Sequence, residues 1–315
     1  PTPSNELNLQ LLSSFSNGAA GTNSAEIVAF DPSTDRLYIA NSIGQKMDVV
    51  NFSNPSTPVL ITSVPMATYG GINSIVAKNG VVAAAVENIN PQLNGSVVFF
   101  DQNGVFQNQV SVGAMPDMIT FNQNNTKLLT ANEGEPNATY SVDPEGSVSV
   151  IDISGGIAAL TQANVTTIPL TQFNGQEVAL RAQGIRIFTS SASVAQDLEP
   201  EYIAISSDNS KAYVTLQENN ALLTIDLLTN TIVSLTPFGY SSYAAGSNNA
   251  LDASDQSGMV LITGDLPIKG AYMPDAMTYK TINGQGYLFT ANEGDSREFG
   301  SVIDANRISS TTFTL

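Results

Sequence analysis

The sequence predicts an all-β protein with the fold of a β-propeller built from four-stranded blades. One strand-turn-strand phrase recurs along the chain, and its strands are short, rich in β-branched residues and separated by polar turns. About four such strands in each unit of about 45 residues are typical of a radial array of small sheets. A β-sandwich or a linear β-solenoid is the alternative, but a sandwich does not repeat one phrase five times.

The recurring phrase consists of an acidic or Asn residue, a short alternating strand, a polar turn and a second strand. Its copies occupy residues 25–42, 72–88, 116–134, 200–218 and 274–294. Third strands are expected at 47–52, 96–101, 147–153 and 222–227, and fourth strands at 59–64, 106–112 and 231–237. These five units belong to a ring that we expect to have about seven blades when complete.

Two segments interrupt the period, and we expect both to be insertions between blades of a single domain over residues 1–315. Residues 171–199 contain EVALRAQG, a short helical pattern that ends in Gly, and residues 238–272 are rich in Gly, Ser, Ala and Asp. The segment SVIDAN, which begins at residue 301, starts a third strand that soon stops, so we expect a last blade truncated at the C-terminus and a longer natural chain. Residues 7–15 could pair with a terminal strand to close the ring.

The composition excludes several kinds of active site. The chain has neither Cys nor His, which excludes a thiolate nucleophile, a zinc-thiolate site and a Ser-His-Asp triad. Any bound metal would be held by oxygen ligands, which favour Ca²⁺ or Mg²⁺.

The charge of the chain restricts its partners. Only 12% of the 315 residues are charged, as is common in secreted and cell-surface β-proteins, and the net charge is −17. Such a charge repels nucleic acid, so we expect no nucleic-acid partner. No apolar run approaches the roughly 18 residues that a membrane span requires, so no span is expected in this chain.

The motif ANEG occurs at residues 131–134 and again at 291–294. In a propeller the first strand of each blade lines the axis and the second runs back, so the start of the first and the end of the second share one face. The residues predicted to meet on that face are Glu26, Asn41, Asp117, Asn132, Glu133, Glu201, Asp275, Asn292 and Glu293. The Gly and Asn of the motif are explained by turn chemistry, because Gly permits a positive φ and Asn bonds nearby backbone.

The carboxylates of this face have two interpretations. They are either solvated loop acids or ligands of a cation, because converging carboxylates repel one another unless a cation is present. The predicted metal ligands, with Ca²⁺ as the expected ion, are Asp117, Glu133, Glu201, Asp275 and Glu293. The predicted ligand-binding residues beside them are Asn132, Asn292, Asp295 and Arg297. Arg297 either pairs with a local carboxylate or meets an anionic ligand such as phosphate.

Four phrases resemble, in order, the choice-of-anchor I proteins. They are ANEGEPNATYSVDPEGSVSVIDIS, GQEVALRAQGIRIF, SVAQDLEPEYIAIS and PDAMTYKTINGQGYLFTANEGDSREF, and with them the resemblance covers nearly the whole chain. It implies a β-propeller that is secreted, periplasmic or attached to the cell surface, often as part of a longer polypeptide. Relatives include an atypical large alkaline phosphatase and a mesenchyme-specific cell-surface glycoprotein. The resemblance implies no particular set of catalytic residues.

Two functions are compatible with these features, and whether the protein is an enzyme stays open. The first is a binding or scaffold protein whose acidic, cation-binding face takes a surface, glycan or protein partner, with assembly into a larger surface structure as one outcome. The second is a Ca²⁺-dependent phosphoesterase, in which ions on the acidic face clamp phosphate and Arg297 or Lys269 steadies it. A dehydrogenase is disfavoured because no Gly-rich dinucleotide motif follows a strand and opens a helix.

Overall fold

The computed structural model describes residues 9–16, 18, 25, 27–188, 192–254, 256–299 and 302–306. Over these residues the predicted β-propeller is confirmed, because four antiparallel sheets of four strands follow one another and each keeps its strands in chain order. A two-stranded hairpin stands in the position of a fifth sheet. The number of blades in a complete ring stays a prediction.

The strands of the four-stranded blades lie close to their predicted positions, except for the fourth strand of the third blade, which the sequence analysis did not identify. The first blade comprises β1 Val28–Asp31, β2 Arg36–Asn41, β3 Lys46–Asn51 and β4 Val59–Pro65. The second comprises β5 Gly71–Lys78, β6 Val81–Glu87, β7 Asn94–Asp101 and β8 Phe106–Ala114. The third comprises β9 Pro116–Phe121, β10 Lys127–Asn132, β11 Ser147–Asp152 and β12 Val165–Pro169. The fourth comprises β13 Ile203–Ile205, β14 Lys211–Leu216, β15 Ala221–Asp226 and β16 Thr231–Pro237.

The fifth unit departs from this pattern. The remaining strands are β17 Tyr240–Ser242, β18 Lys269–Ala271, β19 Pro274–Ile282, β20 Gln285–Asn292, β21 Glu298–Phe299 and β22 Val302–Ile303. The expected third strand at SVIDAN is wrong in its pairing, since β22 pairs with β21 and not with β20. Asp304 explains the difference, because it follows β22 and is bonded to Arg186 and to the backbone N of Arg297, which draws this segment toward the first insertion.

The two insertions differ in structure. The helix predicted in residues 171–199 is confirmed as α1 Glu177–Gln183, which ends at Gly184 with a φ of 97°, a left-handed conformation that Gly adopts at low cost. A second short helix, α2 Val194–Asp197, follows Ser193, whose Oγ accepts a hydrogen bond from the backbone N of Gln196. The second insertion contains the hairpin of β17 and β18. Short 3₁₀ helices lie at Ile157–Ala159, Gln162–Asn164 and Thr171–Phe173.

The hydrophobic core lies between neighbouring blades rather than inside one sheet. One cluster joins the first two blades, a second joins blades two and three, and the third joins blades three and four with the first insertion. A second strand is therefore covered on both faces, and the VVAAAVE of β6 reads as a continuous apolar run instead of alternating. At the axis, β1 contacts β5, β5 contacts β9, β9 contacts β13, and β13 contacts β19.

Long cationic side chains also connect successive blades. Arg36 Nη1 donates to the backbone O of Gln102 at 2.5 Å, and Lys78 Nζ donates to the backbone O of Gln123 at 2.8 Å. Lys127 Nζ donates to the backbone O of Leu227 and, at 3.2 Å, to Asn230 Oδ1. Each contact satisfies carbonyls in a turn of the next blade, on the face opposite the ANEG motifs.

The expected pairing of residues 7–15 with a terminal strand stays a prediction, because residues 307–315 lie outside the described residues. Residues 9–15 belong to no strand in the described structure, and Leu9 and Leu11 are each 84% exposed. Residues 7 and 8 lie outside the described residues, and so does Glu26, the expected acidic residue of the first blade.

Replacing Lys127 with Met should destabilise the protein, because the turn carbonyl and Asn230 lose a charged donor. Hydrogen bonds to charged groups contribute about 1.5–3 kcal/mol, so we expect the free energy of unfolding to fall by about that amount in urea titrations. The exposed Lys269 offers a control, since its replacement by Met should change the unfolding midpoint little. An equal effect of both substitutions would contradict the role of Lys127 between blades.

Candidate functional site

A cavity of about 810 Å³, here called the axial channel, extends along the first strands of four units and along Glu201 and Tyr202, just before the first strand of the fourth unit. Residues 27–30, 73–77 and 118–120 of β1, β5 and β9 supply most of its wall, together with Tyr202 and Ala276. Four of the five predicted metal ligands line the same cavity: Asp117, Glu133, Glu201 and Asp275. The repeat therefore brings these acids together at one end of the axial channel.

Three of these carboxylates directly follow a proline in the sequence: Asp117, Glu201 and Asp275. Pro116 and Pro274 begin β9 and β19, positions where Pro is tolerated because it donates no ladder hydrogen bond. Ladder pairing shifts at both sites, because the register passes from Met118 to Pro116 and from Ala276 to Pro274 and so skips one residue in each strand. A β-bulge of this kind re-aims a side chain. Glu201 has the same local setting, because it follows Pro200 and its backbone N donates to Thr215 O at 2.9 Å.

The first ANEG motif delivers Glu133 at the end of β10. Its backbone N donates to Met115 O at 2.9 Å, which holds the end of the second strand against the start of the first. Gly134 follows with a φ of 72°, and a Cβ there would lie 2.8 Å from the backbone of Glu145. The chain thus needs Gly at this position, both for its conformation and for the close approach.

The carboxylates at this end of the channel act on one another. Burial raises the pKa of Glu133 well above its ordinary value, and the charges of Asp117, Glu135, Glu201 and Glu218 raise it further. These groups come from the third and fourth units, so their repulsion follows from how these two blades are arranged.

Glu201 is in a comparable setting. Burial raises its pKa to about 10, with further contributions from the charges of Glu218, Asp117 and Asp275 and from a hydrogen bond with Asp275. A hydrogen bond between two carboxyl groups requires a proton on one of them. With its amide nitrogen turned toward Glu201, Gln217 donates to both carboxylate oxygens at 2.7 and 2.6 Å.

Two further acids, Glu135 and Glu218, interact with the carboxylates of the channel. Burial raises the pKa of Glu135 to about 7, and Glu218, Asp117 and Glu87 raise it as well, whereas Arg297 lowers it. Burial also raises the pKa of Glu218, again against the effect of Arg297. Near neutral pH, Glu201 therefore holds a proton and Glu135 is partly protonated.

The group is not preformed as a metal site. Within the described residues, no three acidic side chains stand in an arrangement that would hold a metal ion. The carboxylates interact through their charges, and ligation of one ion would require their side chains to turn toward it.

Arg297 lies beside this group and is paired with other acids. It is 3% exposed, its Nη1 lies 3.0 Å from Asp197 Oδ1, and its Nη2 lies 3.0 Å from Glu199 Oε2. Nη2 also donates to the backbone O of Asp197 at 2.6 Å. Burial raises the pKa of Glu199, and Arg297 opposes that shift. Of the two roles left open for Arg297, the structure thus shows the local pairing.

The other predicted residues are not gathered at the channel. Asn132 is fully buried within the third blade, where its amide accepts from Thr130 Oγ1 at 2.9 Å and donates to Ser149 Oγ at 3.0 Å. Asn292 accepts from Thr290 Oγ1 at 2.9 Å in the same way, but in an exposed strand. Glu293 and Asp295 are exposed. As ligand residues, these four stay predictions.

Sequence reasoning left Glu218, Asp197 and Glu199 out of the site. Glu218 could have been found from the repeat, because TLQE at 215–218 aligns with TANE at 130–133. Both segments end a second strand with a glutamate. Asp197 and Glu199 lie in the first insertion, outside the repeat, so no repeat position pointed to their pairing with Arg297.

Comparison with known proteins gives one family and several distant structures. The family model of the choice-of-anchor I domain matches residues 26–314. A search of curated proteins finds no match. No helix of the described residues is long and apolar enough to cross a membrane.

Three solved structures similar to the chain each share 10% identity with it. The β-propeller domain of Cps50 (Swd1) from Myceliophteria thermophila has a TM-score of 0.41 over 64% of this chain and 56% of that one. Hydrazine synthase from Kuenenia stuttgartiensis has a TM-score of 0.40 over 85% and 83%, respectively. A protein of unknown function from Bacteroides caccae has a TM-score of 0.40 over 68% and 60%. The chain thus spans about half the length of the first of these structures.

Replacing Arg297 with Met should strongly destabilise the protein, because it leaves Asp197 and Glu199 buried without their cation. Breaking a buried ion pair on one side costs about 3–5 kcal/mol, which denaturant unfolding measures directly. Combining Arg297→Met with Asp197→Asn and Glu199→Gln should recover most of this loss, since no unpaired charge remains. A loss below about 1 kcal/mol for the single variant would contradict the assigned pairing.

Proposed function

The chain belongs to the choice-of-anchor I family, and from this premise we propose that it is a secreted or surface-attached β-propeller that acts as a binding or scaffold protein. The family supports a location outside the cytoplasm. The propeller supports binding, because it brings loops from successive blades to one face around an axial channel. The low charged fraction of 12% is in keeping with such a location.

We further propose that the acidic end of the channel binds a divalent cation, with Ca²⁺ as the expected ion. The observation that carries this proposal is the mutual repulsion around Glu133, whose pKa is raised by burial and by four neighbouring carboxylates. Oxygen ligands of this kind suit Ca²⁺, which accepts six to eight of them in flexible geometry.

The residues proposed to hold the ion are Asp117, Glu133, Glu201 and Asp275, because they line one cavity. Glu135 and Glu218 would contribute negative charge beside them. Glu293 is left out of this set because it is exposed and outside the cavity lining, although it occupies the same motif position as Glu133.

A Ca²⁺-dependent phosphoesterase remains an alternative prediction, and no observation favours it. The role suggested for Arg297 in steadying phosphate competes with its buried pairs to Asp197 and Glu199. A phosphate would have to displace those carboxylates.

Ca²⁺ should raise the melting temperature of the protein, since a ligand that binds only the folded state stabilises it by mass action. At 100 times the dissociation constant the gain is about 2.7 kcal/mol, which corresponds to a shift of several degrees in differential scanning calorimetry. The shift should be lost in Glu133→Gln and in Glu201→Gln.

Glu293→Gln provides a matched control, because it changes the same residue type at the same position of the second ANEG motif. It should keep the full response to Ca²⁺. Equal loss in Glu133→Gln and Glu293→Gln, or no response to Ca²⁺ in the wild type, would contradict the proposed site.

Without divalent ions, the protein should be more stable at pH 5 than at pH 8. The pKa of Glu135 is raised from its ordinary value of 4.5 to about 7, so the folded state keeps a proton that the unfolded state releases. The associated stability is fully present below about pH 4.5 and is lost as the pH rises through about 7. Melting temperatures in buffers with EGTA, from pH 5 to pH 8, measure this trend.

Glu135→Gln should flatten that pH dependence between pH 5 and 7. Asp208→Asn serves as its control, because hydrogen bonds from Ser206 and Ser210 lower the pKa of Asp208 to about 2, below this range. A melting temperature that rises from pH 5 to pH 8 would contradict the assigned burial of these carboxylates.

A further inference from the structure

Three buried polar atoms beside the acidic group have no hydrogen-bond partner among the described residues. They are Arg297 Nε, Tyr140 Oη and Asp143 Oδ1. Buried polar groups are nearly always satisfied, because a group without a partner has lost the hydrogen bonds that it makes to water in the unfolded state. Three in one neighbourhood therefore call for a common partner.

The three atoms come from the loops that follow the two ANEG motifs. Tyr140 and Asp143 belong to the loop that joins β10 to β11, and Arg297 lies just before β21. The ring of Tyr140 packs edge-on against Phe299, with centroids 6.0 Å apart. The backbone O of Asp143 accepts from Gln196 Nε2 at 2.6 Å, next to Asp197, the partner of Arg297.

The electrostatic interactions agree with this placement. Arg297 is the first charged group that acts on both Tyr140 and Asp143, and it lowers the pKa of each against the effect of burial. Nη1 of Arg297 is engaged by Asp197, and Nη2 by Glu199 and the backbone O of Asp197, so Nε is the guanidinium nitrogen left for a further partner.

The chemistry of the surrounding groups restricts the partner. An anion would meet the carboxylates of Asp143, Asp197 and Glu199. A metal cation would meet the guanidinium of Arg297. A neutral species that accepts from Nε–H, donates to Asp143 Oδ1 and exchanges a hydrogen bond with Tyr140 Oη is complementary to all three atoms. A water molecule has this set of donors and acceptors, and buried waters typically make about three hydrogen bonds.

We propose that one buried water molecule binds among Arg297 Nε, Tyr140 Oη and Asp143 Oδ1, and that it joins the two loops that follow the ANEG motifs. The site is independent of any cation in the channel. It gives the buried Arg297 a fixed orientation, since every nitrogen of its guanidinium then has a partner.

A crystal structure at about 1.5 Å resolution tests the site directly. We expect one spherical density peak at about 2.7–3.2 Å from each of the three atoms. A site without density, direct bonds among the three side chains, or a peak with contacts near 2.4 Å, as Ca²⁺ would make, would overturn the proposal.

Tyr140→Phe tests the same site through the sign of a stability change. If water satisfies the Tyr140 hydroxyl, its removal takes a partner from the water, and the melting temperature should fall by roughly 2–4 °C. If the hydroxyl has no partner, its removal relieves a buried unsatisfied group, and the melting temperature should stay or rise.

Tyr287→Phe is the matched control, because Tyr287 lies in β20 and is 47% exposed. It should leave the melting temperature unchanged. A response of Tyr140→Phe equal to that of Tyr287→Phe would overturn the proposal, even in a variant that folds normally.

Discussion

The burial of like charges at one end of the axial channel is the constraint on which the rest of the site depends. Each unit begins its first strand near the axis, and in three successive units an acidic residue stands there, at Asp117, Glu201 and Asp275. Because the second strand returns to the same end, Glu133 joins them. The propeller thus collects negative charge where solvent is scarce, and each carboxylate needs a proton, an arginine or a metal ion.

The protein meets this need in two ways on neighbouring parts of the same face. Asp197 and Glu199, in the first insertion, are both paired with Arg297 at the end of the fifth unit. Glu201 instead has a pKa raised to about 10, so it holds a proton at neutral pH, and the pKa of Glu133 is raised well above its ordinary value. We infer that the pairing of Arg297 is structural, because its cation is part of the chain. We infer that the carboxyl groups of Glu133 and Glu201 instead exchange protons for a soluble cation.

Much of the fold follows from local sequence, because the repeated phrase encodes strands and turns of short range. The strands of four blades, apart from Val165–Pro169, and the helix Glu177–Gln183 are close to their predicted positions. The convergence of Asp117 and Asp275 was also predictable, although the bulges that aim them depend on cross-strand register, which the sequence pattern does not contain.

The remaining features depend on contacts between distant residues. Glu133 and Glu293 share one motif, yet a Cβ on Gly134 would meet neighbouring backbone, whereas a Cβ on Gly294 would meet open space. The ANEG motif is therefore packed against neighbouring backbone in the third unit and exposed in the fifth. Likewise, Arg297 and Asp197 are 100 positions apart, and no local pattern signals that pairing.

The measurement that tests the central claim most directly is isothermal titration calorimetry with Ca²⁺ at pH 7, repeated in buffers of different ionisation enthalpy. If Ca²⁺ replaces protons among the channel carboxylates, the observed heat should depend on the buffer and should report net proton release. Binding without proton release would contradict the exchange. An absence of any binding heat in all buffers would contradict the cation site itself.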